Sequence, residues 1–135
     1  MSKNKSVVRR FNHEVIENLD MVAFSDLVSP EFINHSAPPG VSKGPDGFAA
    51  FFTNVLHQAF TDIKVSIHDQ LEENDKVATR KTIEGIHSGP FFGHAKTGKR
   101  ILIHVTDIVH LKDGKYIEHW GSADIYGAIA QISKT

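Results

Sequence analysis

The spacing of apolar residues changes at Asp62, and this change constrains the fold more than any other feature of the chain. Before Asp62, apolar side chains recur every three or four residues, as they do on one face of an amphipathic helix. After it, Ile63, Val65 and Ile67 alternate with polar residues, which is typical of a half-buried strand. Helices followed by strands indicate an α+β fold. We expect N-terminal helices packed on a curved, mainly antiparallel sheet.

The two patterns also predict where the elements lie. The predicted helices run over 5–19, 21–28 and 45–59, and Asp20 is the expected N-cap of the second. The predicted extended segments run over 31–35, 63–71, 77–86, 101–111 and 116–125. A long loop is expected over 87–98. The last ten residues are expected to close with a short turn, because 131–135 offers little to bury.

Length, charge and composition exclude several classes of function. A chain of 135 residues is expected to form one domain, 1–135, that buries roughly two thirds of its unfolded surface. Its net charge of −1 argues against nucleic acid or an acidic membrane as the partner. The absence of cysteine excludes disulfides and zinc–thiolate sites. The sequence contains neither a signal-peptide pattern nor a long apolar run, so a cytoplasmic location is expected.

The segment 101–125 predicts a hairpin whose turn decides which side chains share a face. A two-residue turn, Asp113-Gly114, would pair odd positions of one strand with even positions of the other. A bulged three-residue turn that also includes Lys112 pairs even positions with even positions. It is preferred because it gathers most titratable groups on one face and leaves the other face nearly all apolar. The even-numbered face then mixes apolar and titratable groups and could line a pocket. The odd-numbered face is too apolar to be left in water, which predicts a homodimer through the sheet.

Four stretches that together span nearly the whole chain point to a known family. They are FINHSAPPG (32–40), GPDGFAAFF (44–52), GIHSGPFFGHAKTGKR (85–100) and DGKYIEHWGSAD (113–124). In this order they resemble the SnoaL-like polyketide cyclase family, which belongs to the nuclear transport factor 2-like folds. The resemblance implies a cone-shaped α+β barrel with a hydrophobic pocket. It also implies a cofactor-independent cyclase or isomerase that acts on a small to medium, partly apolar carbonyl or ester.

The resemblance assigns Asp124 as the general acid/base and His110, on the partner strand, as the group that binds the developing enolate. A carboxylate among Leu102, Ile108 and Trp120 would be poorly solvated, which favours its action as a base. The alternative for Asp124 is an aspartate at a strand end that accepts hydrogen bonds from a nearby turn. The choice between His104 and His110 stays open, because both lie on the even-numbered face.

The other expected site residues contact the substrate. They are Asn34, His35, His104, Trp120, Phe52 and His87, the last at the edge of the glycine-rich loop, where it could gate the pocket. A metal site is not expected, because His104 and His110 would be about 20 Å apart along one strand. The partner is therefore expected to be a small-molecule ligand. A non-catalytic binding module with the same pocket is the competing function.

Overall fold

Five strands form one curved sheet, and the helices cover one of its faces. The structure is a computed structural model that describes residues 1–134, and Thr135 lies outside them. The strands are β1 (Val28–Asn34), β2 (Phe60–Glu73), β3 (Lys76–His87), β4 (Arg100–Lys112) and β5 (Lys115–Ala123). Their order in the sheet is β1-β5-β4-β3-β2, antiparallel except for the parallel pair of β1 with β5. The predicted α+β fold, with N-terminal helices on a mainly antiparallel sheet, is confirmed.

Helices precede most of the strands, as the sequence predicts. They are α1 (Lys3–Phe11) with a π-helical turn Asn12–Glu17, α2 (Met21–Leu27), α3 (Pro45–Ala50) with a π-helical turn Phe51–Leu56, α4 (His57–Ala59) and α5 (Ile125–Ser133). The predicted N-cap of the second helix is confirmed: Asp20 Oδ1 accepts hydrogen bonds from the N–H groups of Val22 and Ala23, both at 3.1 Å. Among residues 1–134, no helix combines the length and the apolar character that crossing a bilayer requires.

The C-terminal helix α5 contradicts the short turn that the sequence predicts there. Its buried residues are Ala128 and Ile132, four positions apart and therefore on one face. Gln131, on a neighbouring face, bonds the edge of β4 beyond the point where β5 ends. Its side-chain amide accepts from the N–H of Leu102 and donates to the C=O of Leu102, both at 2.8 Å. This side chain therefore takes the place that another strand would occupy.

The β4–β5 turn has two residues, so the predicted three-residue turn is wrong. Lys112 pairs with Lys115 across Asp113-Gly114, whose φ angles of 53° and 75° are both left-handed. The register nevertheless shifts one position further along, where Ile117 is the extra residue of a bulge. From Glu118 onward the bulge restores the predicted arrangement, in which even-numbered positions of the two strands share a face. Tyr116 was predicted on that face as well, but it precedes the bulge and pairs with Leu111, so it lies on the odd-numbered face.

The helices cover the odd-numbered face of this hairpin, opposite to the face predicted to line a pocket. Its buried apolar positions on β4 are Ile101, Ile103, Val109 and Leu111. Removing apolar surface from water contributes about 25 cal/mol per Å², so the more apolar face packs against the helices. The odd-numbered face is consequently unavailable for the predicted dimerisation. We call it the inner face, and the even-numbered face the outer face.

Aromatic side chains fill the space between the helices and the inner face. The cluster consists of Phe11, Phe24, Phe32, Phe48, Phe52 and Tyr116. Contacting rings in it lie 4.5 to 6.1 Å apart between centroids. Such pairs contribute beyond the area they bury, so they fix the helices against the sheet.

Candidate active site

The predicted acid/base, Asp124, lies in solvent at the end of β5. Its Oδ1 accepts a hydrogen bond at 2.8 Å from the N–H of Gly127, so that the carboxylate caps α5. The expected apolar surroundings are therefore wrong, and the alternative of an aspartate that caps a local turn describes the geometry. His104, on the outer face of β4, is exposed as well.

His110 and His35 meet on the outer face, where they share one carboxylate. His110 Nδ1 is 2.8 Å from Glu118 Oε1, and His35 Nε2 is 2.9 Å from Glu118 Oε2. The bond from His110, followed by that from His35, lowers the pKa of Glu118. His35 also stacks on Trp120 at 4.8 Å between centroids. Because Asp124 lies six residues beyond Glu118, it is about 20 Å from His110 and not its partner.

Two further predicted contacts are buried in the protein. His87 ends β3 without solvent exposure, and its Nδ1 lies 2.9 Å from Thr97 Oγ1. It therefore anchors the base of the glycine-rich loop and, being buried, does not line a pocket entrance as predicted. Phe52 belongs to the aromatic cluster. Of the predicted set, only Asn34 reaches the polar residues of the inner face.

A charged network crosses the inner face, and Asp107 is at its centre. Asp107 Oδ2 lies 3.3 Å from Lys81 Nζ and 3.3 Å from His119 Nε2. Lys81 Nζ also donates to Asn12 Oδ1 at 2.6 Å, and His119 Nδ1 is 2.9 Å from Asn34 Oδ1. Only 7% of Asp107 and 3% of Lys81 is exposed. We call these five residues the inner polar cluster.

Each member of the inner polar cluster is held by a different element. Lys81, Asp107 and His119 project from the adjacent strands β3, β4 and β5. Asn12 begins the π-helical turn after α1, and its Nδ2 donates to the Val8 carbonyl at 2.8 Å. Asn34 is the last residue of β1. Sheet and helix layers thus both contribute, and their packing fixes the geometry.

Both ring nitrogens of His119 face oxygen acceptors. The Asn34 side chain accepts from the N–H of Ser36 at 3.1 Å, which fixes Oδ1 as the amide atom near His119. The other ring nitrogen faces the carboxylate of Asp107. A neutral ring could donate to only one of these two acceptors, whereas an imidazolium donates to both.

The Asp107 carboxylate is ionised although it is buried. Burial raises its pKa, but the positive charge of Lys81 and the hydrogen bond and charge of His119 outweigh burial and hold the pKa below its usual range. Its Oδ1 is buried too, and no donor among the described residues bonds it. Burial, and then the charge of Asp107, raise the pKa of Tyr116 well above its usual value, so that phenol stays neutral.

The inner face of the sheet is less covered beside this carboxylate. Asp107 pairs with Gly121, and the next inner pair, Val105 with Ala123, is only partly covered. A side chain at position 121 would displace the imidazole, because its Cβ would lie 2.7 Å from Cε1 of His119. The glycine therefore leaves room for the imidazole beside the partly exposed pair of Val105 and Ala123.

The sequence contained a signal for this site. Asp107 interrupts the apolar odd-numbered run of β4, and on β3 Lys81 stands between Thr79 and Ile83 in the odd-numbered positions. Charges at core positions are rarely tolerated without partners. Neither residue belongs to a recognisable motif, whereas several residues of the outer face lie in segments that resemble the family. Within the described part of the chain, 1–134, no three acidic or histidine side chains are placed to hold a metal ion.

Comparisons with known proteins agree on the fold. TsrD from Streptomyces laurentii superposes with a TM-score of 0.86 at 24% identity, over 97% of this chain and 95% of that one. A candidate SnoaL-like polyketide cyclase from Jannaschia sp. CCS1 gives 0.83 at 25% identity, over 98% and 93%. An LEH-like epoxide hydrolase of M. tuberculosis gives 0.70 at 17%, over 96% and 89%. No curated protein matches the chain.

The sequence itself carries the assignment to a family. The model of the family described as SnoaL-like polyketide cyclase matches residues 6–132, which is almost the entire chain. That span includes every strand and every member of the inner polar cluster. The chain therefore belongs to the SnoaL-like polyketide cyclase family.

Proposed function

We propose that the chain is a cyclase-type enzyme in which Asp107 removes a proton adjacent to a carbonyl group. One observation carries this proposal: Asp107 Oδ1 is buried and unbonded within the described residues, while Oδ2 faces both Lys81 and His119. An unpaired buried carboxylate oxygen is costly. A base that receives its hydrogen-bond partner only with the substrate accounts for that cost. Family membership and the Jannaschia protein support the reaction class.

The proposed reaction moves one proton and forms one carbon–carbon bond. Asp107 Oδ1 takes the α-proton, and the electrons of the C–H bond form an enolate. The enolate carbon attacks a second carbonyl of the same molecule, and the resulting alkoxide takes the proton back from Asp107. Nothing is oxidised or reduced, so the sequence of steps needs no redox cofactor.

The cations beside Asp107 suit the charge that develops on the substrate. His119 and Lys81 lie at 3.3 Å from the carboxylate, which is long for charged hydrogen bonds. Either donor can therefore share its N–H with a substrate oxygen placed beside the carboxylate. Preorganised positive charge of this kind stabilises an enolate in a site that excludes water.

The surroundings favour a small to medium, partly apolar substrate. Phe48 lies 5.1 Å from His119 between ring centroids, and Val105 and Ile125 are partly exposed apolar side chains on the inner side of the sheet and its edge. A carbonyl compound with an apolar body could lie across these residues and present its α-carbon to Asp107.

Solvent deuterium exchange tests the proposal without knowledge of the natural substrate. Cyclic and aryl ketones, whose uncatalysed exchange is slow, are incubated in D2O, and incorporation at the α-carbon is followed by NMR. We expect wild type to exceed the buffer rate with at least one ketone. Asp107→Asn should lower the enzymatic rate about 100-fold or more, as loss of a general base does.

Asp124→Asn is the matched control. The catalytic roles assigned to Asp124 and His110 by family resemblance stay predictions, and this variant tests the role of Asp124. Full activity is expected for Asp124→Asn, because that carboxylate caps α5 in solvent. Loss of exchange in Asp124→Asn with activity retained in Asp107→Asn would contradict the proposal.

A non-catalytic binding module is the second candidate, and the burial of Asp107 favours it. A carboxylate with 7% exposure could serve only to bind a ligand's hydroxyl or amide group. In that case ketones would bind, as ligand-induced chemical shifts near Val105 and Gly121 would show. No exchange above the buffer rate would accompany the binding.

Homodimerisation is proposed through the outer face, since the helices cover the inner one. Ile108 is 39% exposed there, next to the half-buried Trp120 with which it pairs. These two residues form the apolar centre of the outer face. Light scattering on wild type tests the proposal, and a monomer at tens of micromolar would refute it.

A further inference from the structure

We propose that Lys81 is a positioning residue: it holds Asp107 by one oxygen so that the other stays free for the substrate, and Asn12 holds Lys81 in place. This inference rests on the proposed role of Asp107 as the base. It adds a requirement that family resemblance does not supply, namely a buried lysine on the strand next to the base.

The contacts of the lysine are directional. Lys81 Nζ lies 2.6 Å from Asn12 Oδ1 and 3.3 Å from Asp107 Oδ2, and both side chains of the ion pair are more than nine-tenths buried. Asn12 is itself fixed by its bond to the Val8 carbonyl. The amino group therefore has one short bond that anchors it and one longer contact to the carboxylate.

Stability alone does not explain this pair. A buried ion pair often contributes no more than apolar residues of the same volume, because removing two charges from water is costly. A pair selected for stability would also satisfy both carboxylate oxygens. Here Lys81 and His119 converge on Oδ2, and no residue among 1–134 bonds Oδ1. The arrangement fixes the direction of Oδ1, which a base requires.

The charged and titratable groups around Asp107 come from two strands. Lys81 faces it from β3, and His119 and Tyr116 face it from β5. The helices contribute the neutral amide of Asn12 through Lys81. Removing the lysine charge takes away the group that lowers the pKa of Asp107 most. The carboxylate should then bind a proton at higher pH.

An NMR titration tests this inference without a substrate. The carboxyl carbon of Asp107 and the ring nitrogens of His119 are followed against pH in wild type, Lys81→Met and Lys81→Arg. We expect the Asp107 titration to move to higher pH in Lys81→Met, whose stem matches that of lysine, and to return toward wild type in Lys81→Arg. Lys64→Met, on the exposed side of β2, controls for the change in net charge.

The outcome is decisive whichever variant folds. An Asp107 titration at the same pH in wild type and folded Lys81→Met would overturn the inference. If Lys81→Met does not fold, Lys81→Gln, whose amide can still bond Asn12, undergoes the same titration and is judged by the same criterion. Failure of the proposed function would appear elsewhere, as undiminished deuterium exchange in Asp107→Asn. The two failures are therefore distinguishable.

Discussion

The two faces of the β4–β5 hairpin each contain a carboxylate with histidine and show how burial changes its chemistry. On the outer face, Glu118 bonds His35 and His110, and all three side chains are about one-third exposed. On the inner face, Asp107 contacts His119 and Lys81, and none of the three is exposed by more than 13%.

The outer set is satisfied, whereas the inner set is not. Both oxygens of Glu118 have a histidine partner at ordinary hydrogen-bond distance. Asp107 contacts its partners through one oxygen only. Water screens the outer charges, so their arrangement has little energetic consequence. The low dielectric of the interior strengthens each charge interaction and raises the cost of each unsatisfied polar atom. The inner set is therefore the better candidate for chemistry.

The largest effect should follow from breaking the inner ion pair. Asp107→Asn leaves Lys81 buried with reduced compensation, and we expect it to lower the free energy of unfolding by about 3–5 kcal/mol. Glu118→Gln on the outer face should cost less than about 1 kcal/mol. Urea denaturation measures both. Equal losses in the two variants would show that burial does not separate the two sets.

A smaller effect should follow from filling the space above the imidazole. Gly121→Ala places a Cβ 2.7 Å from His119 Cε1, so the ring must shift from its position beside Asp107. We expect a loss of about 1–3 kcal/mol, as overpacking causes, together with altered ring nitrogen shifts of His119. Ser122→Ala, next along the strand and exposed on the outer face, should change stability by less than about 0.5 kcal/mol. An unmoved His119 in Gly121→Ala would contradict the assigned geometry.

The smallest expected difference between the two faces is in how acid and salt change the free energy of unfolding. The folded-state pKa values of Asp107 and Glu118 are both lowered. The unfolded chain therefore takes up protons at higher pH than the folded one. Each contribution is complete above the ordinary carboxyl pKa, about 3.9 for Asp and 4.3 for Glu, and is lost as the pH falls through the folded value.

Salt separates the two contributions, because only the exposed one is screened. In 1 M NaCl, the difference in acid sensitivity between wild type and Glu118→Gln should shrink, whereas that between wild type and Asp107→Asn should persist. Unfolding free energies between pH 2 and 6, at low and high salt, provide the comparison. A salt-sensitive Asp107 contribution would indicate that water reaches the carboxylate.

The sequence predicted the fold well because periodicity reports burial directly. The alternation around Val65 and the helical spacing around Phe48 are both imposed by one buried face. Helix α5 was missed because its sequence, rich in small residues, buries only Ala128 and Ile132. Its position depends on the open edge of β4, which local sequence cannot show.

The site was harder to predict than the fold, for a physical reason. Pairing even positions with even ones separates two faces but does not say which one the helices cover. Composition could have decided this, since the face with Ile101, Ile103 and Val109 loses more by staying in water. Asp107 then becomes a charge in the core that requires partners. Which partners it finds depends on β3 and the π-helical turn, and these distances exist only in the folded chain.

The bond between Gln131 and Leu102 has a consequence for aggregation. Where β5 ends, β4 would present free backbone groups, and such edges recruit strands from other molecules. The Gln131 amide occupies both groups of Leu102 with the spacing of a peptide unit. Gln131 thus blocks the pairing of a strand from another molecule with this part of β4. Its replacement by leucine should shorten the lag time of fibril formation.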